Sequence, residues 1–392
     1  MAGPARSQLS THGERIDSVG LLSWGANSYG QLGQGHKEDQ LTPSEALWSG
    51  GTSTPDIITG GGGHTMVVTD DRKLWACGSN SHGQLGLGTK EDVDVLTQVT
   101  FPSPARIGQV AGGWDFSLAC TESGEIFSWG NNAFSQLGRD PGEKYSALPG
   151  RVDLPTDSPA VCVAAGLRHG LALTADGCVY GWGHNKKGQV GHVADDTGKV
   201  AKVVPLPVKL NPSTKQKVLQ ITAAAYHSQV LTDCHDIYLW GCNKFGQLSQ
   251  DPNGTPQLSQ PCCLSRSAFG GHKVKSVTSG WTHSIALTDS GEVYTWGRAD
   301  YGQLGRSCDR SCDSTPKPVA GLQGGYSVAC GSEHNLCLTD ARKLLSWGWN
   351  EHGICGTGDE SNVPLPVQVT VPGKSVVSIG CGAGHSFVLV SR

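Results

Sequence analysis

The chain has 392 residues with 30 Lys and Arg against 34 Asp and Glu, and only 16% of its residues are charged. A net charge of −4 argues against a protein held to nucleic acid or an anionic membrane by bulk charge, and no apolar run approaches the ~20 residues of a membrane span. The 55 glycines do not fall at every third position, which excludes collagen, and eleven tryptophans argue against disorder, so a turn-rich, all-β chain remains. Fourteen dispersed cysteines behind an N-terminus with no apolar signal core read as mostly reduced, buried small hydrophobes of a cytoplasmic, and also nuclear, protein.

In chain order, residues 1–18 form a polar segment, expected to fray at its start. From Trp24 a ten-residue pattern, W-G-x-N-x-x-G-Q-L-G, recurs seven times, beginning at Trp24, Cys77, Trp129, Trp182, Trp240, Trp296 and Trp347. A second element, Gly-x-x-His followed by alternating apolar residues, places His64, Phe116, His169, His227, His283, His334 and His385. In six cases the next W-G begins 13 residues later. Ser284-Ile-Ala-Leu-Thr288 and Glu292-Val-Tyr-Thr-Trp296 alternate as strands must, and Asp289-Ser290-Gly291 is the turn between them. A period of about 50 residues with four short strands is a propeller blade, which stacks radially to bury what one blade cannot. The first W-G lacks an upstream histidine and the last histidine lacks a downstream W-G. The N-terminal strand from Val19 to Trp24 should therefore pair with Ser386 to Val390 and close a ring of seven blades within one domain, 19–392. The W-G and Q-L-G glycines are expected to allow close backbone approach near the axis. The longest connections, 191–224 and 249–280, read as surface loops or extra strands.

The segments W-G-A-N-S-Y-G-Q-L-G from Trp24 and S-G-W-T-H-S-I-A-L-T-D-S-G-E-V-Y-T-W-G from Ser279 resemble the repeat of the regulator of chromosome condensation family, over about residues 19–390. Trp24 to Gly33 followed by His36-Lys-Glu-Asp39, Gly113-Trp-Asp-Phe116 and Ala165-Gly-Leu-Arg-His169 are similar to its secretion-regulating exchange-factor branch. The resemblance implies a seven-bladed propeller that acts as a guanine nucleotide exchange factor or regulator. Its implied partners are a small GTPase, Ran-like or secretory, and an exocyst subunit. No cofactor and no metal is implied, and the chain is expected to be a monomer. The family's exchange residues, two aspartates and a histidine, lie in the Gly-x-x-His loops; here their positions hold Trp114, Arg168 and His283. All seven W-G segments have equal length, so the short wedge inserted in the chromosome-condensation regulator is not present in them.

Asp115, His283 and Glu333 are therefore the candidate exchange residues. Trp114, Asp115, Arg168, Trp281, His283 and Glu333 form the candidate partner-binding set, expected on one rim because they occupy equivalent loop positions. The bland readings stand beside these. Repeat histidines usually hold a neighbouring backbone group through a ring nitrogen, and repeat tryptophans pack the core. Cys308-x-x-x-Cys312 with Cys262-Cys263 lacks the partner pair of a zinc finger and reads as loop thiols. Gly60-Gly-Gly-Gly63 is followed by no Gly-Lys-Ser/Thr and is not a phosphate loop. A non-catalytic scaffold using the same face is the competing function. A tryptophan-based light sensor would rest only on Gly113-Trp-Asp and Gly280-Trp-Thr.

Overall fold

The computed structural model describes residues 19–391 except 141, 193–204 and 211–215. The polar segment 1–18 and part of the connection 191–224 thus lie outside the described residues. The rest forms seven four-stranded antiparallel sheets. We number the blades 1 to 7 from the sheet whose inner strand is Pro55–Gly60 to the one whose inner strand is Val376–Cys381.

Blade 7 is composite. Val376–Cys381 and His385–Ser391 supply its two inner strands, while Val19–Gly25 and Gln40–Glu45 supply its outer two. The seam is in full antiparallel register, with Leu21 opposite Leu389 and Trp24 opposite Ser386. The connection 249–280 contributes the outer strand Gln257–Leu264 of blade 4 and a single helical turn, Arg266–Phe269, that buries Phe269. It is therefore a blade component rather than an extra strand.

Most blade boundaries repeat one hydrogen-bonded unit. Trp129 of blade 2 donates its indole N–H to the Gln84 carbonyl of blade 1 at 2.8 Å. The Ser117 hydroxyl donates to the same carbonyl at 2.7 Å and stands 2.9 Å from His64 Nε2. Since the hydroxyl proton is already committed, His64 must donate through Nε2, which leaves Nδ1 unprotonated and without a partner. The same relay links His169 to Ser228, His227 to Ser284, His334 to Ser386 and His385 to Thr65, while His283 bonds Asn335 Oδ1 at 2.7 Å. The expectation of a backbone partner is thus corrected: these histidines bond side chains of the next blade. Phe116, which has no ring nitrogen, faces a boundary where Gly170 replaces the serine, so no polar group is orphaned there. The six repeat tryptophans are buried, as is Cys77 in the seventh position.

The W-G glycines adopt positive φ, from +96° at Gly183 to +116° at Gly348. A Cβ on Gly78 would lie 2.4 Å from the Gly63 carbonyl oxygen of the same blade. Their close approach is between the second and third strands, not near the axis, because W-G ends the third strand out from the centre.

The cysteines divide by position in the blade. Cys77, Cys120, Cys330, Cys337, Cys355 and Cys381 are buried, whereas Cys178, Cys234 and Cys263 are exposed. Cys262 and Cys263 lie in the outer strand Gln257–Leu264 and Cys312 opens another, Cys312–Pro318, so of the four cysteines expected in loops Cys308 alone lies in one. Outer strands lack the alternation that marks inner ones, which hid them in the sequence. Titration of the native protein with a thiol reagent is expected to label Cys178, Cys234 and Cys263 first and to leave the six buried thiols intact until unfolding. Burial pushes the Cys120, Cys337 and Cys355 thiols up to about 12, further reducing their reactivity. Early labelling of those three, mapped by peptide mass, would contradict the packing described.

Candidate functional site: the loop face of the propeller

Because each blade is an antiparallel meander, the loop between its inner two strands and the loop between its outer two emerge at the same end. In each blade these loops are zipped together: Asn131 N–H donates to the Asp115 carbonyl, Arg298 to Thr282, and Trp349 to Glu333. One face of the disc therefore collects all Gly-x-x-His and W-G loops.

Trp114 of blade 2 and Trp281 of blade 5 meet with ring centroids 5.4 Å apart. These blades stand on opposite sides of a seven-membered ring, so the two indoles meet over the axis rather than along a rim. Trp114 remains 41% exposed. Gly62 of blade 1 gives it room, since a Cβ there would lie 2.7 Å from the indole Cε3.

The acids are not freely presented. Asp115 accepts from Asn131 Nδ2 at 2.7 Å, and its side chain is 13% exposed. Glu333 is buried beneath the loops, accepting from Thr282 Oγ1 and Gln303 Nε2, each at 2.7 Å. Burial pushes its carboxyl up to about 7, against the downward pull of those two donors and of Arg298. His283 is fully buried, 3.9 Å from Glu333 through Nδ1, and burial holds its ring at about 4. The partner-contact role assigned to His283 is therefore corrected: the blade relay consumes its Nε2, and its ring does not reach the surface. Glu333 likewise belongs beneath the surface, because Gln303 and Thr282 from blade 5 cover it. Arg168 is half-buried, its guanidinium 4.3 Å from the centre of the Phe134 ring.

Sequence reasoning missed a second ring of residues. The sixth position of the seven W-G segments holds Tyr29, His82, Phe134, Lys187, Phe245, Tyr301 and His352. Tyr29 is 47% and Phe134 37% exposed, and the others are at least partly accessible. Arg298 packs over both Phe245 and Tyr301, at 4.8 and 4.6 Å. The signal was available as one column of the repeat that stays aromatic or cationic while pointing away from the buried W and L columns. Such exposed aromatics backed by guanidinium groups are the usual anchors of protein interfaces. Among the described residues no group of three or more His, Cys, Asp or Glu could hold a metal, and no helix is long and apolar enough to cross a membrane.

The RCC1-like domain family matches residues 20–388. The mouse secretion-regulating guanine nucleotide exchange factor is 42% identical, covering 94% of this chain and 83% of its own length. Human WBSCR16 superposes with a TM-score of 0.84 at 26% identity, covering 96% of this chain and 99% of that one. Yeast Prp20p, from Saccharomyces cerevisiae, gives 0.86 at 22% identity over 96% and 92%, a likeness of fold. With its seven blades, its loop face and these relatives, the chain belongs to the RCC1-like domain family and, within it, to the family of the secretion-regulating guanine nucleotide exchange factor.

Proposed function

We propose that this protein is a guanine nucleotide exchange factor or regulator for a small GTPase in secretion and that it binds its partner through the loop face. The observation that carries this reading is the exposed Trp114 packed on Trp281 over the axis, ringed by cation-backed aromatics, in a chain 42% identical to an exchange factor. The fold relative Prp20p is described with binding to Gsp1p and histones. An exchange factor makes no bond: it binds the nucleotide-free GTPase better than the loaded form and so lowers nucleotide affinity by linkage. The indole pair supplies contact area, while Asp115 supplies negative charge at its edge, suited to disturb a phosphate-binding lysine or Mg²⁺.

One observation favours a second reading, a non-catalytic scaffold: both acids already accept hydrogen bonds within the protein. Nucleotide release and capture measured across a panel of Ran-like and secretory GTPases separate the two. Trp114→Ala is expected to weaken capture by ~2 kcal/mol, about 30-fold, with the melting temperature preserved. Under the exchange reading Asp115→Ala slows release more than it weakens capture. Release that never exceeds the intrinsic rate leaves the scaffold. Unaltered capture in Trp114→Ala removes this face. Binding of an exocyst subunit, a monomeric state, and residence in cytoplasm and nucleus belong to the same proposal, and pull-down, light scattering and cell fractionation test them.

A further inference from the structure

Between the outer loops of blades 4 and 5 a groove of about 1430 Å³ opens on the loop face. It exceeds the ~300–1,000 Å³ of small-molecule pockets and is of a size for a polypeptide segment. Its inner end is Trp281 and Tyr226, and Phe245 lies on its wall, so it is continuous with the axial indole pair. Lys187, Lys244 and Arg310 line it, exposed, and none of the three has a carboxylate partner among the described residues. Lys244 instead stands over the Phe245 ring at 5.1 Å. Of the acids that line the groove, Asp313 is held by Arg306 at 3.1 Å and Lys317 at 2.8 Å, and Asp251 accepts from the Asn253 N–H at 3.0 Å. That backbone bond leaves the Asp251 charge in place, so Asp251 and Asp309 stand against the three cations, and with Arg306 and Lys317 sharing Asp313 the lining holds five cations to three acids.

We propose that this groove is a docking site for a short acidic polypeptide segment bearing an aromatic side chain. The carboxylates meet Lys187, Lys244 and Arg310, and the aromatic ring packs among Tyr226, Phe245 and Trp281. The groove shares Trp281 and Phe245 with the proposed partner-binding face, but peptide docking here does not rest on nucleotide exchange. A lipid headgroup array is disfavoured by shape, since a flat bilayer cannot enter a groove walled by two loops. A nucleic acid is disfavoured by charge, because on the same face the outer loop of the neighbouring blade 6 exposes Glu351, Asp359 and Glu360 and that of blade 7 exposes Glu38, and a long polyanion running on past blade 5 would meet them.

Fluorescence anisotropy with the full chain tests the site. The probe is a labelled peptide alternating Glu and Gly around one Phe. The controls are the same peptide with Gln for Glu, phosphatidylserine vesicles, and a short oligothymidylate. The Glu peptide is expected to bind, to weaken as salt rises, and to lose at least about tenfold in affinity in the double variant Lys244→Glu with Arg310→Glu. Both substituted side chains are exposed, so the melting temperature should hold. Phe245→Ser is expected to weaken the Phe peptide and to leave a Phe-free Glu peptide unchanged. Equal binding of the Gln peptide, unchanged affinity in the charge-reversed variant, or preferential binding of vesicles or oligonucleotide would each overturn the proposal.

Discussion

Removal of the first 25 residues is expected to abolish cooperative folding. The deletion takes the whole strand Val19–Gly25, which is hydrogen-bonded to His385–Ser391 on one side and Gln40–Glu45 on the other. Leu21, Leu22 and Trp24 are buried at 5%, 4% and 0% exposure, and at ~2 kcal/mol each their loss removes about 6 kcal/mol. That rivals the ~5–15 kcal/mol stability of a whole domain. The strand Gln40–Glu45 then has no partner, and His385–Ser391 presents an unpaired edge that templates aggregation. The bond from the Trp24 indole to the Ile354 carbonyl of blade 6, 3.0 Å, goes too. Denaturant unfolding followed by tryptophan fluorescence, with the soluble yield, checks this. A truncated protein that melts as the intact chain does would defeat closure by the termini.

Acidification is expected to unfold the propeller at a pH well above the usual carboxylate range. Burial holds His64 and His283 at about 4, and His169, His227, His334 and His385 at about 3, against an ordinary value of 6.5. Above 6.5 these rings are neutral in both states and cost nothing. As pH falls through 6.5 the unfolded chain takes up protons that the folded chain refuses, so stability falls by ~1.4 kcal/mol per pH unit per ring. The loss continues until the folded values are reached. Glu333 acts in the opposite sense: its folded value of about 7 lies above the ordinary 4.5, so its contribution grows as pH falls through 7 and is complete below 4.5. Six losses against one gain leave a net uptake of roughly four to five protons on unfolding near pH 5.5. Denaturant midpoints measured between pH 7.5 and 5 should fall steeply, with that proton number given by the slope. His64→Gln should flatten the slope by about one proton. A pH-independent midpoint across this window would show that the rings titrate freely.

The number of blades, their boundaries and the seam at the termini were legible in the sequence. Each blade is a covalently local unit whose strands pair with sequence neighbours, and the displaced half-repeats at the two ends left only one way to close the ring. The W columns were legible as core for the same reason, and the Gly-x-x-His loops could be placed together on one face. The partners of the histidines were not legible. His64 meets Ser117 and His385 meets Thr65 across blade boundaries, and in a repeat five of the seven blades offer a serine or threonine in the same column, so alternation within a strand cannot say which hydroxyl a ring will meet. The site divides in the same way. Trp114, Asp115 and Arg168 were found as unusual residues at loop positions, yet Trp114 touches Trp281 only because closing the disc brings blades 2 and 5 face to face over the axis. Equivalent loop positions do not have equivalent exposure. Tyr226 is 36% exposed, whereas Glu333 in the same register is buried because Gln303 and Thr282 close over it, and the low dielectric this creates raises the Glu333 carboxyl; His283 is buried like Phe116 in its own register, which depresses its ring. Burial of that kind depends on what a neighbouring blade places above a loop, and so only the tertiary structure decided it.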